Sequence, residues 1–291
     1  MTAPIVVGVD GTGSGLDAVA LAAHLAQATG DPLIVACVYP RDIRPSTDGD
    51  AQGPAARALE SARELVGGLD AQYRTTASSS PARGLAELAQ HEDAGTVVVG
   101  SHRRGPFGRV ASGSTAERLL HGSGCPVAVA PRGYRRRERG GLRRIGVAFV
   151  GTPDGHEAVR HAADLAARSG LSLTLYSVVS VHANWFVPEA VRPEEEAVPV
   201  EVRKEYQEAL DRALAELPEG VPGTGELLYG EVVDELSVVG ERGVDLLVCG
   251  SRGYGPVRRV LLGTVSAALV RQSSVPVMVV PPGRWITAAH A

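Results

Sequence analysis

Two stretches of this 291-residue chain have the residue types and spacing of an anion cradle. Gly250-Ser-Arg-Gly253 is followed by nine residues and then by Gly263-Thr264. Glycine lets a backbone approach a ligand without a Cβ in the way. Gly263-Thr264 opens a helical pattern over Val265–Val270, and free amides at a helix start, with the Thr264 hydroxyl, suit a phosphate. The other stretch reads Gly100-Ser-His-Arg103, nine residues, then Gly113-Ser114. The frame is the same, but Arg103 stands where the first stretch has Gly253. Two readings of Arg103 remain open: it clamps a phosphate through paired hydrogen bonds, or its bulk excludes the ligand.

A carboxylate is placed unequally. Ile5-Val-Val-Gly-Val-Asp10-Gly-Thr12 ends an apolar strand pattern on Asp10, which could accept hydrogen bonds from a ribose or help hold a metal-bound phosphate. The competing reading is that Asp10 and Thr12 satisfy turn and helix-start amides. The matching stretch near residue 150 has Val150, with Thr152 and Asp154 left to cap the next helix. No other chemistry converges. Cys37, Cys125 and Cys249 each lie in or beside an apolar strand pattern and read as small buried hydrophobes. The histidines are scattered, and His156 and His161 do not share a helix face. No catalytic residue and no protein-held metal site is expected.

The elements that must position these loops form an internal repeat. Ala158-Val159 answers Ala18-Val19 at a distance of 140 residues, whereas Cys125-Pro-Val and Val275-Pro-Val are 150 apart. The second copy is therefore longer in its middle. Strands are expected near 4–10, 33–39, 72–78, 96–101 and 126–130, then near 144–150, 171–179, 224–229, 245–250 and 276–280. Helical patterns lie between them, as at Ala55–Leu65 and Val200–Leu217. Short apolar runs alternating with helices imply an α/β fold of two tandem, doubly wound, five-stranded parallel sheets. The expected division is 1–133 and 142–283 for the domains, 134–141 for a basic linker and 284–291 for a tail. Arg132, Arg135, Arg136, Arg137 and Arg139 make the linker region basic, and it reads as solvated. Pro40–Pro54 reads as a flexible loop. His182–Pro199 is its longer counterpart, where Trp185 and Phe186 either pack locally or cover a pocket. In such sheets ligands sit beyond the strand C-termini, where strand order reverses. That places the loops after the first and fourth strands of each copy at the ligand.

Net charge of −4 argues against nucleic acid as a partner. No apolar run is long enough to span a membrane, and the N-terminus reads as a strand, not a signal peptide. The expected location is the cytoplasm.

The spacing Gly-x2-Gly-x9-Gly-(Ser/Thr), the Val-Asp-Gly-Thr opening and the Cys-Pro-Val or Val-Pro-Val last strand resemble the universal stress protein family, in a tandem form covering nearly the whole chain. The resemblance implies a 3-2-1-4-5 strand order and, in some members, ATP with Mg or Mn. Carried over, the first site would use Asp10, Val38 beside the adenine, Gly100, Gly113 and Ser114; Arg103 departs from the pattern and stands as a candidate phosphate contact of this chain's own. The second would use Val178 or Val179 beside the adenine, then Gly250, Gly253, Gly263 and Thr264, with Val265 following in the helix start and Val150 as the departure. The resemblance also implies a homodimer of tandem chains. The function expected is an ATP-binding stress-response or regulatory protein with unequal sites and at most slow ATP hydrolysis. A scaffold acting through protein contacts is the alternative. An enzyme related to the ATP pyrophosphatases is a weaker one. Gly13-Ser-Gly-Leu-Asp17 is faintly similar to their loop, but lies beyond the strand end and has Ala18 in place of the second Ser.

Overall fold

The computed structural model describes residues 2–41, 53–101, 115–137, 140–180, 198–251 and 262–283. They form two compact units, one built on Met1–Leu142 and the other on Arg143–Pro282.

The first unit runs β1 (Ile5–Gly8), α1 (Gly13–Thr29), β2 (Leu33–Pro40), α2 (Pro54–Val66), β3 (Ala71–Ser78), α3 (Pro81–His91), β4 (Thr96–Gly100), α4 (Thr115–Gly122) and β5 (Val127–Ala130). Its strands are parallel in the order β3-β2-β1-β4-β5. The chain steps one way from β1 to β3 and the other way through β4 and β5. Right-handed crossovers then put α1 and α2 on one face and α3 and α4 on the other. Strand order reverses between β1 and β4, at the expected position.

The second unit repeats this with β6 (Arg144–Ala148), α5 (Pro153–Ser169), β7 (Ser172–Val179), α6 (Val200–Ala215), β8 (Gly223–Tyr229), α7 (Val232–Ser237), β9 (Leu246–Gly250), α8 (Thr264–Gln272) and β10 (Val277–Val280). Its order is β8-β7-β6-β9-β10. The ten strands lie within a few residues of the expected ones.

Local chemistry explains the repeat. The central strands are apolar on both sides, and Val6, Val7, Val97, Val98, Leu246, Leu247 and Val248 are fully buried, as a sheet covered on both faces requires. Helices α1 and α5 open identically: the Thr12 hydroxyl accepts from the Gly15 amide and the Thr152 hydroxyl from the Gly155 amide, both at 3.2 Å. They also close identically, on Gly30 (φ 73°) and Gly170 (φ 68°) in the left-handed region that glycine tolerates.

The segment after β5 corrects the reading of a solvated linker. Tyr134–Arg136 forms a 3-10 turn that packs on α1, and Tyr134 is only 3% exposed. Both oxygens of the buried Asp17 carboxylate hold it, accepting from the Gly133 amide at 2.7 Å and the Arg135 amide at 3.1 Å. The Tyr134 hydroxyl lies 2.8 Å from His24 Nδ1. Asp17 is thus engaged in anchoring this turn. The central parts of both long loops, residues 42–52 and 181–197 with Trp185 and Phe186, lie outside the described residues.

The half-buried His161 on α5 adds a pH dependence to the second unit. Burial, aided by the Arg168 charge and opposed by Asp164, lowers the His161 imidazole to about 4. The unfolded value is near 6.5, so the unfolded chain binds the extra proton first and stability falls as pH drops from 6.5 towards 4. The full loss is about 3 kcal/mol at most. Copy one has Leu21 at the equivalent position. His161→Leu is expected to flatten the fall in denaturation midpoint over this pH window, measured by chemical unfolding. A slope unchanged in the variant would refute the assignment.

Candidate functional site

In the first unit Asp10 follows β1 and is exposed. Its Oδ1 accepts from the Thr12 amide at 3.0 Å and from the Thr12 hydroxyl at 2.6 Å. One carboxylate oxygen therefore closes the turn that starts α1, as the local reading of Asp10 and Thr12 expected. The other, Oδ2, has no hydrogen bond among the described residues. Val38, half-buried in β2, turns its side chain towards α3: a Cβ on Gly84 would meet Val38 Cγ1 at 2.7 Å and Ser78 Cβ at 2.9 Å. The neighbouring Cys37 thiol is raised by burial and then by the Asp10 charge, which keeps it protonated.

Gly100 has a different reason from the one expected. A Cβ there would collide with the carbonyl oxygen and hydroxyl of Ser14 in the first turn of α1. Its missing side chain admits a helix, and the Ser14 hydroxyl then donates to the Ser101 carbonyl at 2.7 Å, fixing the start of the loop. Arg103, Gly113 and Ser114 lie outside the described residues.

The second unit keeps the framework with other groups. The Val150 carbonyl accepts from the Thr152 amide at 2.6 Å, so a backbone oxygen replaces the Asp10 carboxylate in the turn. Gly250 again admits a helix: its Cβ would lie 2.8 Å from the Asp154 carbonyl oxygen and 3.2 Å from Asp154 Cβ. The half-buried Asp154 is thereby brought against the end of β9, so this unit has an acidic residue at its strand ends after all. The search for a carboxylate at the Asp10 position missed it. The available signal was its place opposite Ser14 in the repeat. Val178 and Val179 are 9% and 2% exposed, and the Val179 carbonyl accepts from the Gly230 amide at 3.3 Å. Burial pushes the Cys249 thiol up to about 12, which keeps it protonated at neutral pH.

Among the described residues, the start of α8 is the feature most open to a ligand. The Gly263 amide donates to the Ser251 carbonyl at 2.6 Å, and the Ser266 hydroxyl donates to the Gly250 carbonyl at 2.7 Å. These bonds hold the helix start against the end of β9. The cap residue Gly263 offers no side-chain acceptor, and the first helical bond runs from Ala267. The amides of Thr264, Val265 and Ser266 are left for another acceptor. Close by in the chain fold, the buried Ser251 hydroxyl has no hydrogen-bond partner among the described residues. Such a group costs about 1–3 kcal/mol unless something else satisfies it. Phosphate oxygens fit this set of donors. Gly253 lies outside the described residues.

Among the described residues no cluster of three His, Cys, Asp or Glu is placed to hold a metal ion. No described helix is long and apolar enough to cross a membrane.

The Usp family model, described as the universal stress protein family, matches residues 1–131 and 141–281. A universal stress protein of Mycolicibacterium smegmatis is 31% identical over 305 residues, covering 96% of this chain and 97% of its own. A universal stress protein of Mycobacterium tuberculosis is 30% identical over 238 residues, 79% of either chain. The fold is shared with a universal stress protein from Archaeoglobus fulgidus at a TM-score of 0.64 and 17% identity, over 97% of both chains. With both repeats matched, the chain belongs to the universal stress protein family, in its tandem two-domain form.

Proposed function

We propose that the protein binds an adenine nucleotide, ATP with Mg or Mn, and acts as a nucleotide-responsive stress or regulatory protein in the cytoplasm. The observation that carries this reading is the start of α8, where three amides and the orphaned Ser251 hydroxyl sit at the end of β9. Thr264, Val265 and Ser266 would hold the phosphates through their amides, and Gly250 keeps the strand end open to α5. A divalent cation would supply charge neutralisation on the phosphates. The half-buried Asp154 is the nearest acidic residue described at that strand end, and it favours a nucleotide that arrives with its cation. In the first unit, Asp10 Oδ2 is the group offered to a ribose or cation. Val38, Val178 and Val179 remain the residues proposed beside the adenine. Hydrolysis is expected to be slow at most, because the proposed phosphate contacts are backbone amides that bind rather than transfer protons.

A second reading is favoured by a specific observation. Asp10 Oδ1 is spent on Thr12 within its own turn, and in the second unit the Val150 carbonyl closes the corresponding turn with no carboxylate. A scaffold acting through protein contacts would need no more. We expect the chain to pair as a homodimer, with a solution mass about twice 30.2 kDa by light scattering.

Titrating ATP and Mg into the ligand-stripped protein by calorimetry separates the two readings. Nucleotide binding predicts saturable heat in the parent and a loss of about tenfold or more in affinity in Gly263→Trp, whose indole would cover the amides. No heat in the parent sinks the nucleotide reading.

A further inference from the structure

The turn after β5 gathers more positive charge than its surroundings neutralise. Arg132, Arg135 and Arg136 line a cavity of about 320 Å³ together with Thr12 and Ser14 at the start of α1 and Ser101 after β4. The Arg135 guanidinium reaches the helix start, where a Cβ on Gly13 would lie 3.8 Å from its Nη2. Among the described lining residues Asp17 is the acidic one, and the exposed Asp10 carboxylate adjoins through Thr12. Asp17 stands 3.9 Å from Arg135 Nε, and both of its oxygens are already engaged by the Gly133 and Arg135 amides. Arg132 and Arg136 are exposed and make no ion pair among the described residues. The α1 N-terminus adds its own partial positive charge. The turn that Asp17 and Tyr134 hold against α1 thus places three arginines around one cavity, where an anion would relieve their mutual repulsion.

The second unit lacks this arrangement. Asp154 stands at the Ser14 position and Pro282 at the Arg132 position. The cationic set is therefore a property of one copy, and the shared fold does not require it. The cavity is near the lower end of ligand-site volumes, about 300 Å³, and exceeds what one phosphate fills. Arginine forks match phosphate oxygens in pairs.

We propose that this cavity is an oligophosphate site of the first unit, with Arg132 and Arg136 as its principal ligands and Arg135 fixed between Asp17 and the bound anion. It does not rest on the nucleotide reading, since pyrophosphate alone carries the chemistry it recognises. The anion is either a free oligophosphate or the phosphate end of a nucleotide.

The test is calorimetric titration of the full chain with metal-free pyrophosphate, and in parallel with ATP, at low salt. The variant is Arg132→Gln/Arg136→Gln, and both positions are exposed, so the melting temperature is expected to stay put. Pyrophosphate should bind the parent and bind the double variant at least about tenfold more weakly. A parallel loss for ATP makes the nucleotide the source of the phosphates. Loss for pyrophosphate alone makes the site one for a free anion. Binding at the α8 start of the second unit would survive in the double variant as a separate event. No pyrophosphate binding in the parent, or a parent isotherm that persists whole in the double variant, overturns the proposal.

Discussion

Gly100→Ala should destabilise the first unit by about 3–5 kcal/mol, a large share of what holds a domain together. The added methyl meets the carbonyl oxygen of Ser14, which is backbone in the first turn of α1, and no rotamer change relieves it. Either α1 lifts from β4 or β4 shifts in its sheet. Lifting α1 would expose Ala18, Val19, Leu21 and Ala22, which are fully buried. Overpacking a core costs about 1–3 kcal/mol when side chains absorb it and more when backbone must move. Gly68→Ala is the control, because nothing lies within 4 Å of its would-be Cβ. It should change stability by less than about 0.5 kcal/mol. Chemical unfolding of both variants decides the matter. Equal midpoints would mean that Gly100 is not a contact between helix and strand.

Asp17→Ala should release the turn after β5. It removes the acceptor of two amides and the counter-charge of Arg135 in one step. Leaving such partners unmatched costs about 2–4 kcal/mol if they stay buried, and less if the turn escapes to water. The escape is itself observable. Tyr134, buried against α1 and His24, would become exposed, and cleavage by an arginine-specific protease at Arg135 and Arg136 should speed up about tenfold or more. Asp17→Asn keeps one acceptor oxygen and should fall between. Unchanged cleavage in Asp17→Ala would show that the turn is held by something else.

These two residues mark where sequence was informative and where it was not. The repeat, the ten strands and the reversal beside β1 were readable because buried parallel strands leave dense Val and Leu runs with regular helical spacers. The role of Gly100 was not, because a glycine at a strand end looks the same whether it admits a ligand or a helix. Only the neighbour across the fold, Ser14, distinguishes them. The docked turn was hidden for a related reason. Five arginines and three glycines between Pro131 and Gly141 resemble a solvated linker in composition. The partners that hold it, Asp17 and His24, lie more than 100 residues earlier and carry no periodic signature. Asp154 reads from the sequence as a residue of the helix start, and only its contact with Gly250 places it at the end of β9. The start of α8 was legible as Gly263-Thr264, but the orphaned Ser251 hydroxyl beside it needed coordinates.

The central claim is that the start of α8 receives nucleotide phosphates, and amide chemical shifts test it most directly. Adding ATP and Mg to isotopically labelled protein should move the amide resonances of Thr264, Val265 and Ser266 together and saturably, and adenosine should move them far less. Saturable ATP binding that leaves those three amides in place, or the absence of any ATP response, would contradict the account.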